Sequence, residues 1–494
     1  MNLIEKYQIS VNGVPAEISI HNKKDEDVPI YDIKTPSIGI ATKTFLESLE
    51  ERFTNYIEID EVTDNKKIEK VKQNFLKKAK DVLREKFPSE KQEKIDVFAG
   101  MLLHRLLGFG EVELVLGDDW LEEFAINGSK NNIAVYHKKY GWCKTNKKLN
   151  NEEEVYNFAS QIGNKVNREI NSLNPIMDAH LLTGDRVNAT LFPVSTEGNT
   201  ITIRRFARNP WTITHFIDPK MGTMNVEMAA FLWQCMQYEI NVLIAGGTAS
   251  GKTSMLNTLC SFIPPKQRVI SIEDTREIQL PKQLNWNWVP LNSKQANPEG
   301  KGKVTMLDLM LSSLRMRPDR IIVGEVRKKE QVETMFEAMH TGHSVYTTMH
   351  ADTALQVKKR LLEEPISISS NEVESLQVIL VQYRDRRRGI RRTLELVEVL
   401  NQGNKEDLEI NYLYRWHPRN DKFEKVNESR RIVEELNLHT GMTLQEIEND
   451  LREKKRILSW MLKYNIKNLD QVGNVMSLYY RDRNKLLSMI RKKP

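Results

Sequence analysis

Asn241-Val242-Leu243-Ile244-Ala245-Gly246-Gly247-Thr248-Ala249-Ser250-Gly251-Lys252-Thr253 is the stretch on which the reading of this chain turns. Val242 to Ala245 is a short, unbroken apolar run, as expected of a strand buried on both faces. Gly246 to Thr253 then fits G-x-x-x-x-G-K-[ST], with the strand before it and a helix after it that give this pattern its meaning. Glycines let the backbone wrap a phosphate with its N–H groups, and a helix N-terminus adds positive partial charge. Lys252 is placed to reach β- and γ-phosphates, and the Thr253 hydroxyl to ligate Mg²⁺. Gly246, Gly247, Thr248, Ala249, Ser250, Gly251, Lys252 and Thr253 are therefore the candidate nucleotide-binding set.

From here to about Leu400 strands alternate with helices, which predicts a mostly parallel α/β sheet whose ligands bind beyond the carboxyl ends of the strands. Two more strands deliver acids to that edge. Arg268-Val269-Ile270-Ser271-Ile272 runs into Glu273-Asp274-Thr275-Arg276-Glu277, and Arg320-Ile321-Ile322-Val323 runs into Gly324-Glu325-Val326-Arg327. The second has the form of a Walker B strand, with Glu325 where many P-loop enzymes place Asp; an acid there holds Mg²⁺ directly or through water. Hydrolysis also requires a group that orients or deprotonates water. Glu277 is the candidate, with Glu273 and Asp274 as supports around the metal. The bland reading of each carboxylate is a solvated loop acid or a surface ion pair.

His340-Thr341-Gly342-His343 through His350-Ala351-Asp352-Thr353 holds three of the chain's ten histidines. Ser344 to Thr348 reads as another strand, so His343 and His350 fall at its opposite ends, one of them near the phosphate edge. No acid or cysteine completes a set with zinc-ligand spacing, which leaves a polar sensor of nucleotide state, or plain structural histidines. The run Arg384 to Arg392 is rich in arginine, and Gly389 within it suggests a charged hairpin turn.

A length of 494 residues calls for two or three domains. An apolar share of 40% with 28% charged residues is that of a soluble globular protein. No stretch nears the roughly 18 to 20 apolar residues of a membrane helix, and Met1-Asn2-Leu3-Ile4-Glu5-Lys6 lacks the layout of a signal peptide, so a cytoplasmic location is expected. Cys143, Cys235 and Cys260 are far apart and read as reduced core thiols. A net charge of +6 permits contact with anionic membrane or nucleic acid and argues for neither.

The expected organisation is a partly helical N-terminal extension (1–92), a smaller α/β domain (93–207), a linker (208–225), the P-loop domain (226–400) and a mostly helical C-terminal region (401–494). The extension carries β-like Ala16-Glu17-Ile18-Ser19-Ile20 and a helix over Asn65 to Lys86, with Ile68, Val71, Phe75, Ala79 and Val82 on its apolar face. Asn209-Pro210 and Asp218-Pro219 break the pattern at the linker. Thr443-Leu444-Gln445-Glu446 fits a capping box ahead of Leu444, Ile447, Leu451, Leu458 and Met461. Thr305 with Asp308 caps another helix, with Leu307, Met310, Leu311 and Leu314 on one face.

Four blocks in this order resemble the secretion-ATPase superfamily of type II and type IV secretion, pilus assembly and archaeal flagella: the P-loop, Ile272-Glu273-Asp274 to Glu277, Gly324-Glu325-Val326-Arg327, and Thr341-Gly342-His343 through His350. Asn287-Trp288-Val289-Pro290-Leu291, Arg317-Pro318-Asp319-Arg320, and Ser459-Trp460-Met461-Leu462 to Tyr479-Tyr480-Arg481-Asp482 are most similar to the archaeal branch. Gly108-Phe109-Gly110, Asn127-Gly128, Pro175-Ile176-Met177-Asp178-Ala179 and Thr202-Ile203-Arg204-Arg205-Phe206 look like the family's N-terminal domain and junction. The likeness covers about residues 95 to 490 and leaves the first 90 without a counterpart.

The resemblance implies an α/β, RecA-like P-loop ATPase domain with a smaller N-terminal α/β domain and a helical C-terminal tail, assembled as a homohexamer. It implies ATP and Mg²⁺ on Lys252 and Thr253, Glu277 as catalytic carboxylate, Glu325 as Walker B acid, and His343 and His350 holding the hydrolytic geometry. Arg186 and Arg204 match arginines that approach the nucleotide from the N-terminal domain, where a guanidinium neutralises charge developing on the γ-phosphate; either is equally read as a surface salt bridge. The implied partner is a membrane-embedded platform protein of a pilus, archaellum or secretion machine, met at the cytoplasmic face of the membrane, without nucleic acid. Lys328 replaces the family's usual Gly, and His340 a small or amide residue, and neither change removes an essential group. Two other readings stand beside this one. A nucleic-acid translocase would need a basic, aromatic-lined channel. A non-hydrolysing ATP-binding scaffold would not need Glu277, Glu325, Lys252 and both histidines.

Overall fold

Strands that alternate buried and exposed residues open the chain and build one face of a core. They are β1 (Asn2–Val11), β2 (Val14–Asn22), β3 (Ile30–Lys34), β4 (Leu121–Asn127), β5 (Ala134–His137), β6 (Gly141–Thr145), β7 (Ile176–His180), β8 (Arg186–Thr190) and β9 (Thr200–Arg204). The computed structural model describes residues 2–54, 65–110, 112–166, 168–181, 184–206, 209–294, 296, 300–400 and 408–492. They divide into two units, Met1–Arg208 and Asn209–Pro494.

In the first unit the nine strands form one sheet in the order β1-β2-β3-β6-β5-β4-β9-β8-β7. The strands before residue 93 are thus not separate from those after it, because β3 pairs in parallel with β6 through Ile30↔Lys144 and Tyr31↔Thr145. Ile18, Ile20 and Tyr31 share a core with Phe124, Val135 and Ile203. Helices Ile40–Thr54, Asn65–Lys86 and Gln92–Leu106 pack a second cluster around Leu49, Phe75, Ala79, Leu83 and Leu102. Of the expected helical face, Phe75 and Ala79 are buried, while the side chain of Ile68 lies outside the described residues.

The second unit carries β10 (Val242–Gly246), β11 (Val269–Glu273), β12 (Trp288–Asn292), β13 (Arg320–Val323), β14 (Ser344–Met349), β15 (Val378–Asp385), β16 (Ile390–Leu400), β17 (Glu409–His417) and β18 (Lys422–Lys425). Their order is β12-β11-β13-β14-β10-β15-β16-β17-β18. Pairing is parallel from β12 to β15 and antiparallel from β15 to β18. The strand carrying the phosphate loop, β10, is separated from the acid-bearing β13 by β14, the strand order of a RecA-like domain.

Period-two alternation sends neighbouring residues of each central strand to opposite faces. Val242, Ile244, Ile322 and Tyr346 join one core, and Leu243, Ala245, Ile321 and Val345 join the other. The first core is closed by the helices Val226–Gln237, Lys252–Cys260, Leu444–Lys463 and Leu469–Arg481. The C-terminal region is therefore part of this unit, and β17 and β18 extend its sheet before the helices begin. Residues 209–225 are equally built in, since Ile213, Phe216, Ile217 and Met224 are core residues rather than linker. Cys143, Cys235 and Cys260 are free and buried, and no described helix is long and apolar enough to cross a membrane.

The Thr443 and Thr305 capping boxes form as the spacing requires. Two apolar assignments differ from expectation. Leu444 and Leu311 are 59% and 47% exposed, because the buried stripes fall instead on Ile447, Leu458 and Met461, and on Met306, Met310 and Ser313.

Lys454 is a charge set in this unit with no exposed surface. Its Nζ donates at 2.6 Å to both oxygens of Asp450 and at 3.1 Å to Tyr479 Oη. Burial pushes its pKa down to about 8. Removing one member leaves the other as an uncompensated buried charge, which costs about 3–5 kcal/mol, whereas replacing both by apolar residues is often nearly neutral. Lys454→Met should therefore lower the urea midpoint sharply, and Lys454→Met with Asp450→Leu should recover most of the loss; equal destabilisation of the two proteins would contradict this.

Candidate functional site

The phosphate loop leaves β10 in a conformation that only its sequence allows. Gly246 lies at φ 153°, and a Cβ added there would sit 2.4 Å from the Gln382 carbonyl oxygen and from Ser250 Oγ. Gly251 caps the following helix at φ 96°, a left-handed value that costs L side chains energy. Between them Gly247, Thr248 and Ala249 face outward, and Ser250 and Lys252 are buried. Ser250 Oγ makes no hydrogen bond among the described residues. A tight glycine turn, an inward hydroxyl and a helix N-terminus together form a cradle that fits a polyphosphate.

Lys252 is 8% exposed. Its Nζ donates to the Gly247 carbonyl at 3.1 Å and stands 3.3 Å from His350 Nδ1. Burial lowers its pKa and Arg327 adds to that, while the carboxylates of Glu325, Asp352 and Glu277 act in the opposite direction. The charges of three acids thus act on one ammonium at the sheet edge. Glu325 Oε2 accepts from Arg327 Nη2 at 2.7 Å, while Oε1 lies 3.0 Å from His350 Nε2 without a hydrogen bond among the described residues. His350 thereby stands between Lys252 and Glu325. Its pKa is lowered, by burial first and then by Lys252, against the pull of Glu325.

The acidic loop after β11 is fixed from beneath. Glu273 is 2% exposed, and its Oε1 accepts the backbone N–H groups of Glu277 and Ile278 at 2.8 and 3.0 Å. Ile278 is buried, and Gln279 N donates to Asn257 Oδ1 at 2.8 Å. Asn257 stands on the phosphate-loop helix, so the segment carrying Glu277 is tied to that helix. These contacts describe Glu273 as a strut under Glu277, a different task from the metal support expected of it.

Lys252, Thr253, Glu273, Glu277, Glu325 and His350 therefore gather at one edge. His343 does not. It precedes β14 and contacts Thr341 Oγ1 and the Ala338 carbonyl at 3.1 and 3.2 Å, about 20 Å of strand away from the end that bears His350. Arg186 and Arg204 belong to the first unit, where they face each other across β8 and β9. Arg186 pairs with Asp178 at 2.9 Å.

Sequence reasoning missed several members of the cluster. Asp352 Oδ1 would lie 2.9 Å from a Cβ on Gly247, Arg360 donates to the His350 carbonyl, and Asn257 ties down the acidic segment after β11. Each is a common polar residue in a loop or helix, and only the histidine block at 340–353 gave any hint of Asp352. The arginine-rich run folds as a hairpin, with Arg388 Nε on Asp385 and Arg392 Nε on Asp421, each at 2.7 Å.

Burial pushes the Glu273 carboxyl up to about 7, with the Glu277 carboxylate adding to the rise and the two backbone N–H bonds opposing it. A folded-state pKa above the ordinary carboxylate value stabilises the fold below the unfolded pKa, and that contribution is lost as pH rises through about 7. In protein free of nucleotide and magnesium, Glu273→Gln should flatten the fall in urea midpoint between about pH 5.5 and about pH 8. An identical fall in wild type and variant would refute the assignment.

The model of the family described as Type II/IV secretion system protein matches residues 165–408. The uncharacterized protein MJ0900 of Methanocaldococcus jannaschii is 33% identical over 395 residues, covering 78% of this chain and 70% of that protein. A putative conjugal transfer protein of Mycobacterium tuberculosis is 31% identical over 266 residues, covering 51% of this chain and 73% of its own. Among solved structures, the ATPase DotB of Legionella pneumophila is 20% identical, with a TM-score of 0.42 over 72% of this chain and 91% of that one.

Proposed function

Because the chain belongs to the Type II/IV secretion system protein family, we propose that it is a Mg²⁺-dependent ATPase whose hydrolysis drives a membrane-associated machine. The observation that carries this reading is the convergence of Lys252, Glu325, Glu277 and His350 around a loop shaped for phosphates.

Lys252 neutralises the β- and γ-phosphates. Its contact with the Gly247 carbonyl keeps the ammonium beside the loop until a phosphate oxygen replaces that carbonyl. Thr253 and Glu325 would hold Mg²⁺, which offsets charge on the phosphates as the terminal bond breaks. Glu277, steadied by Glu273 and Asn257, orients the attacking water and accepts its proton. His350 sits between Lys252 and Glu325 and reports on both, so occupancy of the phosphate loop is felt at the end of β14. Arg186 and Arg204, side by side on one sheet, supply positive charge to a neighbouring copy's nucleotide in a homohexameric ring. The machine is of the pilus, archaellum or secretion kind, reached through a membrane-embedded platform protein at the cytoplasmic face.

The test uses purified full-length chain with Mg-ATP. Wild type should release phosphate, Lys252→Ala should lose both release and nucleotide affinity, and Glu277→Gln should slow release by about 10²- to 10⁴-fold while still binding ATP. Equal, slow release from all three would sink the enzyme reading.

A further inference from the structure

The hairpin formed by β15 and β16 takes no part in the chemistry above, yet it touches the phosphate loop. Arg391, half-buried on β16, donates from Nε to the Ala249 carbonyl at 3.1 Å. Its Cδ lies 3.6 Å from where a Cβ on Gly251, the cap of the phosphate-loop helix, would stand. The strand register sets Arg384 directly opposite Arg391, so two arginines share one face of the hairpin.

The side from which Arg391 arrives is informative. In the sheet, β14 flanks β10 on one side and β15 on the other. His350, Glu325 and Glu277 all come from the β14 side, through β14, β13 and β11. A γ-phosphate must lie on that side, where water can be oriented against it. With the γ-phosphate on that side, phosphates continuing across the loop would lie toward β15 and β16. The fixed guanidinium of Arg391 stands there, and its planar fork suits a phosphate bidentately.

We propose that Arg391 is a nucleotide-positioning residue that binds the α-phosphate of a nucleoside di- or triphosphate, flanking the loop opposite Lys252. The proposal rests on the loop's being a nucleotide site. Its contact is the same with substrate and product, so it contributes binding that does not change along the reaction, and its loss is read in KM rather than kcat.

Full-length wild type, Arg391→Ala, Arg391→Lys and Arg387→Ala are compared by titration with N-methylanthraniloyl-ADP and by steady-state phosphate release. Arg387 lies in the exposed hairpin turn and controls for loss of a positive charge. Arg391→Ala should weaken ADP binding and raise KM for ATP about tenfold, the loss of one charged contact, while kcat falls by no more than about twofold. Arg391→Lys should recover part of the affinity, and Arg387→Ala should match wild type. Unchanged affinity in Arg391→Ala overturns the proposal. So does an equal loss in Arg387→Ala, which would signify a diffuse field, or a loss in kcat with KM intact. A drop in melting temperature with no recovery by lysine would reduce Arg391 to a prop of the loop and also overturn it. Failure of wild type to bind ADP is a separate result, and it would remove the nucleotide reading itself.

Discussion

The site depends on one constraint, the insertion of β10 between two parallel neighbours at the point where its backbone turns into the phosphate loop. Gly246 pairs with Gln382 of β15 so closely that no side chain fits between them. Ala245, one residue earlier, pairs with Met349 of β14, which places His350 beside Lys252. Register along a single strand thus sets which groups stand on either side of the loop. A one-residue slip would turn every side chain of β10 to the wrong face and move the loop off both neighbours.

Around that strand the polar groups are arranged in tiers. Glu325 and Lys252 stand on either side of His350, and each carries a second contact, Arg327 for the acid and the Gly247 carbonyl for the lysine. Beneath them Glu273 is given up to the backbone of the loop that bears Glu277. A carboxylate buried this deeply is expensive unless its oxygens are used, and two backbone N–H groups supply that use for one oxygen. The cost falls where the loop bearing Glu277 is tied down, and under the proposed function that matters because a catalytic carboxylate displaced by about 1 Å loses much of its effect.

The first unit solves a different problem. Its nine strands begin with a segment that has no counterpart in the resemblance, yet β1 to β3 complete the same sheet as the later strands. Tyr7 and Tyr31 reach Asp118 from that segment at 2.6 and 2.7 Å, hydrogen bonds that satisfy a fully buried carboxylate. The N-terminal strands are therefore part of this unit's core.

The phosphate loop, the acids at the strand ends and the capping boxes were legible in the sequence because each depends on local spacing: glycine for a turn, a hydroxyl three residues from an acid, an apolar run before a charge. Strand ends offered Glu325 and Glu277 and left His343 and His350 side by side as candidates. What local spacing could not show is which residues meet across strands far apart in sequence. Asn257, Asp352 and Arg391 look unremarkable where they stand, and His343 looks equivalent to His350 until strand direction places them at opposite ends of β14. The same holds for residues 209–225 and for β17 and β18, whose apolar side chains find partners only when the sheet is assembled. Sequence determined the chemistry offered at each strand end, since that rests on bonded neighbours; tertiary structure decided which groups face one another, since that rests on register and burial.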